Sequence, residues 1–161
     1  MWFSLERGDL GYLDRSPHRM QFEKTLPASP ARVFDVVANG EEMGTWFDDF
    51  VACRWTSPLP HGLGSTREIE LKMLTVKERF VAWTPGERIA FCMDAITLPL
   101  VTAMAEDIRF EASGPSATRM RWNVHYTLPL WMRPFHPIAR AVFGKMFRKS
   151  MENLSRRVVE A

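Results

Sequence analysis

The chain has 161 residues, a length suited to one domain with a single sizeable core. Hydrophobic residues make up 46% and charged residues 25%, and 21 basic against 19 acidic side chains leave a net charge of +2. Such a balance gives no overall basis for nucleic-acid binding, so any basic surface must be local.

The two cysteines, Cys53 and Cys92, have neither metal-ligand spacing nor the density of a secreted disulfide scaffold. They read as buried free thiols in a reducing, cytoplasmic setting. No apolar run approaches the roughly 20 residues of a membrane span. The first residues, MWFSLERGDLGYLDRSPHR, carry charges where a signal peptide has its apolar stretch. The expectation is a protein neither exported nor membrane-spanning.

Residues 1–18 show mixed charge and no period. They read as an extension laid over the domain or partly disordered, with the folded domain spanning 19–161. Residues 19–26 alternate Met20 and Phe22 with polar neighbours, which predicts a first strand. Ser29-Pro30 then opens a helix, because serine caps free N–H groups and proline fits the first helical position. Val33, Phe34 and Val37 supply its buried face and Asn39-Gly40 its stop. A second short helical piece from Glu41 to about Phe47 presents Trp46 and Phe47.

Six further strands are predicted at about 51–56, 66–73, 75–83, 88–96, 102–112 and 117–128. Turn signals divide them at Ser57-Pro58, Gly62-Leu63-Gly64, Pro85-Gly86 and Ser113-Gly114-Pro115-Ser116, while KMLTV at 72–76 divides two of them with no strong turn residue. After a connector at 129–134, a helix is predicted from Pro134 to about Val159, roughly 39 Å at 1.5 Å per residue. Phe135, Ile138, Ala139, Val142 and Met146 share one direction on it. Phe143, Phe147, Leu154 and Val158 share another, and Gly144 marks an expected bend or change of packing partner.

Six strands without intervening helices argue for an antiparallel meander, not parallel crossovers. The fold class is therefore α+β: a curved seven-stranded antiparallel sheet wrapped around a long C-terminal helix, with two short helices after the first strand. One helix cannot fill the hollow of such a sheet, so a cavity is expected between them.

Several segments carry a resemblance to a known family. They are SPARVFDVVAN, MGTWFDDF, GLGSTREIEL, VKERFVAWTPGERIAF, ATRMRWNVHYTLP and the helix FGKMFRKSMENLSRRV, in that order across about 19–159. The chain resembles the START-like (SRPBCC, Bet v 1-type helix-grip) superfamily and, within it, the polyketide cyclase/dehydrase and lipid transport group. The resemblance implies a hydrophobic cavity for a lipid, polyketide or aromatic metabolite, and in some members cyclisation or dehydration. Its motifs carry the scaffold and not the substrate.

Strand alternation places Arg67, Glu78, Glu106 and Tyr126 on the same faces as apolar residues, while Asp107 and His125 are expected to face water. A hairpin centred near Lys72-Met73 sets Arg67 opposite Glu78. Buried charges must pair, so one reading is an Arg67–Glu78 ion pair, joined or not by Glu106, that closes one end of the sheet. The other is a polar cluster orienting a ligand carbonyl or hydroxyl, with Glu106 or Tyr126 as acid or base. The candidate binding residues are Arg67, Glu78, Phe80, Phe91, Met93, Met104, Glu106, Trp122, Tyr126, Phe135, Val142 and Met146.

No metal site or cofactor is expected, since His18, His61, His125 and His136 lack partners at ligand spacing. Ser65 and Ser150 lack a nucleophile context, and Gly62-Leu63-Gly64 opens no phosphate-binding helix. The C-terminal helix is basic, which reads as a solvated face or as a peripheral membrane contact. Three functions follow: binding of a small hydrophobic ligand, cyclase/dehydratase catalysis, or docking to a membrane or partner. The sequence chooses neither a ligand nor an oligomeric state.

Overall fold

The computed structural model describes residues 1–160. Eight strands form one antiparallel sheet: β1 (Phe3–Ser4), β2 (His18–Leu26), β3 (Phe50–Trp55), β4 (Thr66–Leu71), β5 (Thr75–Thr84), β6 (Arg88–Ile96), β7 (Ala103–Ala112) and β8 (Thr118–Thr127). Seven of them run in the order β2-β8-β7-β6-β5-β4-β3, and β1 pairs with β6. Chain order and sheet order agree from β3 to β8, as hairpin connections require. Only β2 departs, joining β8 at the far edge.

Bulges where register shifts in β3–β4 and in β5–β6 bend the strands and help curve the sheet. The β5–β6 turn needs a positive φ, and Gly86 supplies it at 73°. Between β2 and β3 lie helix α2 (Pro30–Ala38) and a 3-10 helix (Gly40–Thr45). Ser29 Oγ accepts from Arg32 N at 3.3 Å, and Asn39 Oδ1 accepts from Glu41 N at 3.0 Å to start the second piece.

The C-terminal helix α3 begins later than expected, at His136, and ends at Arg157. Its 22 residues span about 33 Å. Pro137 explains the difference: a helix begun at Pro134 would need an N–H at its fourth residue, where proline has none. Leu130–Phe135 forms a 3-10 helix instead. The helix runs continuously through the buried Gly144.

Its C-terminal half makes the core contact. Phe147 packs against Phe22 at 5.3 Å and Trp122 at 5.0 Å, and Met151 and Leu154 are buried beneath. Asp48 N donates to Ser150 Oγ at 2.9 Å, and Asn153 Nδ2 donates to Trp46 O at 3.1 Å. These bonds tie the helix to the segment after the 3-10 helix at Gly40–Thr45.

Beyond β1, the segment from Gly8 to Ser16 lies across the convex face and includes the short helix α1 (Tyr12–Arg15). Tyr12 is buried against Cys92, Ala103 and Ala105, and its hydroxyl lies 2.8 Å from Thr127 Oγ1. A side chain on Gly8 would meet Cys92 Sγ at 2.8 Å, so this crossing requires glycine. Two expectations are corrected on this face. His125 is buried under the N-terminal segment and bonds Ser16 Oγ at 2.8 Å. Asp107 is buried too, held by the neighbouring side chains of Arg88 at 2.8 Å and Arg109 at 3.4 Å. Alternation assigned both to the convex face but does not report what lies over them. Among the described residues, no helix is long and apolar enough to cross a membrane.

Candidate functional site

A cavity lies between the concave face of the sheet and α3. Its inner volume is about 120 Å³. With the space up to the walls and the open mouth included, it spans about 1120 Å³. The tighter figure already far exceeds the roughly 10–15 Å³ that one water needs. The walls are almost wholly apolar.

The strands place two polar groups in that wall. In the first, Arg67 on β4 faces Glu78 on β5 across a direct register pair, and Arg67 Nε donates to Glu78 Oε2 at 2.7 Å. The rings of Phe80, Trp55 and Phe91 surround the guanidinium, with its carbon 4.8 to 5.4 Å from their centroids. A guanidinium suits such stacking, because the faces of aromatic rings are electronegative. Among the described residues, its Nη1 is buried without a hydrogen-bond partner.

Glu106 enters from β7, opposite Phe91 on β6, and its Oε1 accepts from Trp122 Nε1 at 2.7 Å. Burial above all, and then the negative charge of Glu78, push its carboxyl up to about 8, against the opposing influence of the Trp122 bond and Arg67. Burial also raises Glu78, and Arg67 works against that rise. Near neutral pH, Glu106 is therefore mainly a neutral acid able to donate a hydrogen bond.

The second polar group stands beside the N-terminal half of α3. Arg140 Nη1 donates to the Tyr126 hydroxyl at 3.0 Å, and that hydroxyl lies 2.7 Å from His136 Nε2. With Arg140 donating to the phenol oxygen, the phenol hydrogen is free to go to His136. That suits a neutral imidazole, and burial together with the nearby His18 and Arg140 lowers the pKa of His136.

Of the residues singled out in the sequence, Arg67, Glu78, Phe91, Met93, Met104, Glu106, Trp122, Tyr126 and Met146 stand in the cavity wall. Three do not. Phe80 is only 1% exposed and packs behind Arg67. Phe135 and Val142 point outward, each more than half exposed. The helix carries apolar residues in two directions, and its periodicity does not say which meets the sheet. The wall instead takes His136, Ala139, Arg140 and Phe143 from α3, and Trp46 and Phe47 from the segment after α2. A signal for the missed pair was present: extending the Phe143/Phe147 stripe back by whole turns passes through Arg140 and His136.

Comparison with known proteins bears on the family and the fold. The family model described as polyketide cyclase/dehydrase and lipid transport matches residues 17–159. An uncharacterized protein of Mycobacterium tuberculosis is 30% identical over 155 residues, covering 96% of this chain and 92% of that one. A START superfamily protein from Mycobacterium smegmatis superposes with a TM-score of 0.75 at 14% identity, covering 88% of this chain and 97% of the other. The Zhui aromatase/cyclase from Streptomyces sp. R1128 does so with a TM-score of 0.75 at 15% identity, covering 89% and 96%. At such identities, the two structures establish the shared fold.

Proposed function

The chain belongs to the polyketide cyclase/dehydrase and lipid transport family, and from that premise we propose that it binds one small hydrophobic molecule bearing an acceptor oxygen. The observation that carries this reading is a buried cation in a mainly apolar cavity wall. Arg67 has one ion-pair partner and three aromatic neighbours, yet its Nη1 has no acceptor. A buried donor left unmade costs about 1–3 kcal/mol, more when charged. A carbonyl, phenol or carboxylate oxygen on the ligand would satisfy it after a small movement of the surrounding rings, which close Nη1 off here. Neutral Glu106 in the same wall offers a further O–H to the ligand, and Trp46, Phe47 and Met146 supply the surface for the apolar body.

The test is a titration with anilinonaphthalene sulfonate, an aromatic probe with anionic oxygens, beside native mass spectrometry of the purified chain. Saturable binding at one site, weakened about tenfold by Arg67→Met, is expected, since a hydrogen bond to a charged group contributes about 1.5–3 kcal/mol. No saturable binding and no retained mass would end this reading.

A second reading is catalytic, favoured by the raised carboxyl of Glu106. A neutral acid in an apolar cavity can protonate a carbonyl oxygen during cyclisation or dehydration, with Tyr126 as the alternative proton donor. Glu106→Gln would then keep the probe bound while abolishing turnover of a polyketide substrate. Unchanged turnover removes Glu106 from the chemistry.

A further inference from the structure

The N-terminal half of α3 and the 3-10 helix before it present large apolar side chains to solvent. Ile138 is 67% exposed, Leu130 74%, and Trp131, Phe135 and Val142 each slightly more than half. Ile138 and Val142 lie one turn apart on α3, and Phe135, its N-cap, stands three residues before Ile138, so the three form a stripe. That stripe borders the face carrying His136, Ala139 and Phe143, which lines the cavity. At another part of the wall, between β4 and β5, the exposed Met73 adjoins the lining residue Leu74. Exposed apolar side chains grouped this way mark a contact surface.

Charge identifies what they contact. Residues 128–151 contain no Asp or Glu, and they carry Arg133, Arg140, Lys145, Arg148 and Lys149. Among the described residues Lys149 pairs with Asp48 at 3.3 Å, whereas Arg133, Lys145 and Arg148 form no ion pair with a carboxylate. A second copy docking through this same face would set cations against cations, which is costly. An anionic lipid surface answers both features, accepting the apolar stripe among its acyl chains and the cations at its headgroups.

We propose that Leu130–Val142, with its flanking cations, docks on an anionic lipid bilayer. The helix would lie in the membrane plane with Trp131, Phe135 and Ile138 inserted, and Arg133, Lys145 and Arg148 would reach the phosphates. If the cavity holds a hydrophobic ligand, as proposed above, docking brings its α3 wall against the phase where such ligands dissolve. The docking itself requires no ligand.

The experiment is flotation of the full chain with vesicles of phosphatidylcholine alone or with one-third phosphatidylglycerol, at low and high salt. Binding should require phosphatidylglycerol and fall as salt rises. It should weaken at least about tenfold in Phe135→Ser/Ile138→Ser, which loses inserted apolar area, and separately about a hundredfold in Arg133→Gln/Lys145→Gln/Arg148→Gln, since each of the three cations near the surface contributes about 1 kcal/mol. All of these side chains are exposed, so an unchanged thermal midpoint should accompany the loss. Three results would overturn the proposal: no flotation at low salt, flotation indifferent to both variants, or a dimer in light scattering that Phe135→Ser/Ile138→Ser dissolves. Native mass spectrometry of the same samples reports ligand occupancy separately. A laden protein that does not float refutes only the docking, and an empty one that floats refutes only the ligand reading.

Discussion

Glu78 and Arg79 are neighbours on β5 and face opposite sides of the sheet, each in an ion pair with an adjacent strand. On the concave side Glu78 meets Arg67 at 2.7 Å, with side chains 5% and 4% exposed. On the convex side Arg79 meets Asp94 at 3.1 Å, with side chains 15% and 31% exposed. Arg79 spends its donors on Asp94 and the Gly8 carbonyl, helping to hold the N-terminal segment on the sheet. Arg67 spends one donor on Glu78 and keeps Nη1 without an acceptor. The same chemistry thus acts as a fastening on one face and, in the function proposed above, as a recognition group on the other. Burial and unfilled hydrogen-bonding capacity, rather than the presence of a charge pair, separate the two.

The contrast breaks most visibly if the concave pair loses one member. Glu78→Ala leaves a buried guanidinium uncompensated and should cost about 3–5 kcal/mol in urea unfolding. Replacing both partners by Arg67→Met/Glu78→Leu should restore most of that loss, because the desolvation cost goes with the charges. If Glu78→Ala costs no more than a convex substitution, the two pairs are equivalent and the distinction fails.

A smaller effect comes from Glu106. Its carboxyl holds a proton to about pH 8 in the fold, against an ordinary 4.5 in the unfolded chain. Between those values the folded state binds the extra proton, so stability falls as pH rises through the window. His125 and His136 have lowered pKa values, and their stabilisation is lost as pH falls below about 6.5. The clean interval for Glu106 therefore runs from about pH 6.5 to 8. There its proton accounts for about 2 kcal/mol at 1.36 kcal/mol per pH unit. Unfolding midpoints should decline across it in the native chain and much less in Glu106→Gln. Equal declines in both would place the carboxyl in its ordinary range.

Much of this architecture was readable from periodicity. The predicted hairpin centre near Lys72-Met73 set Arg67 opposite Glu78, and the observed register does the same. Strand alternation fixes which residues share a face, and that rule needs no tertiary knowledge. It does not report what covers the face, and so Asp107 and His125, assigned to solvent, are buried. The helix posed the converse problem. Two apolar stripes competed for the sheet, and the one expected to line the cavity through Phe135 and Val142 largely faces outward. Ala139 and Met146, from that same set, do reach the cavity, since they stand at the edge of the set nearest the Phe143/Phe147 stripe. Whether the wall residues bind anything is a question of chemistry that periodicity does not address.

The smallest effect sharpens the convex half of the comparison. Asp94→Ala removes the carboxylate from a partly solvated pair, where water and salt already screen the attraction. It should cost at most about 1 kcal/mol, and less as salt is raised. Arg79 would not be left unpaired, since its Nη2 still donates to the Gly8 carbonyl at 2.8 Å. The loss should therefore appear locally as well as globally. Leu5 N donates to the Asp94 backbone carbonyl at 3.0 Å, a bond that survives the substitution but sits beside the weakened fastening. Amide exchange at Leu5 and Glu6 should quicken while exchange in β7 and β8 stays unchanged. If β7 and β8 also quicken, the convex pair supports the sheet itself, and the contrast between fastening and recognition site must be redrawn.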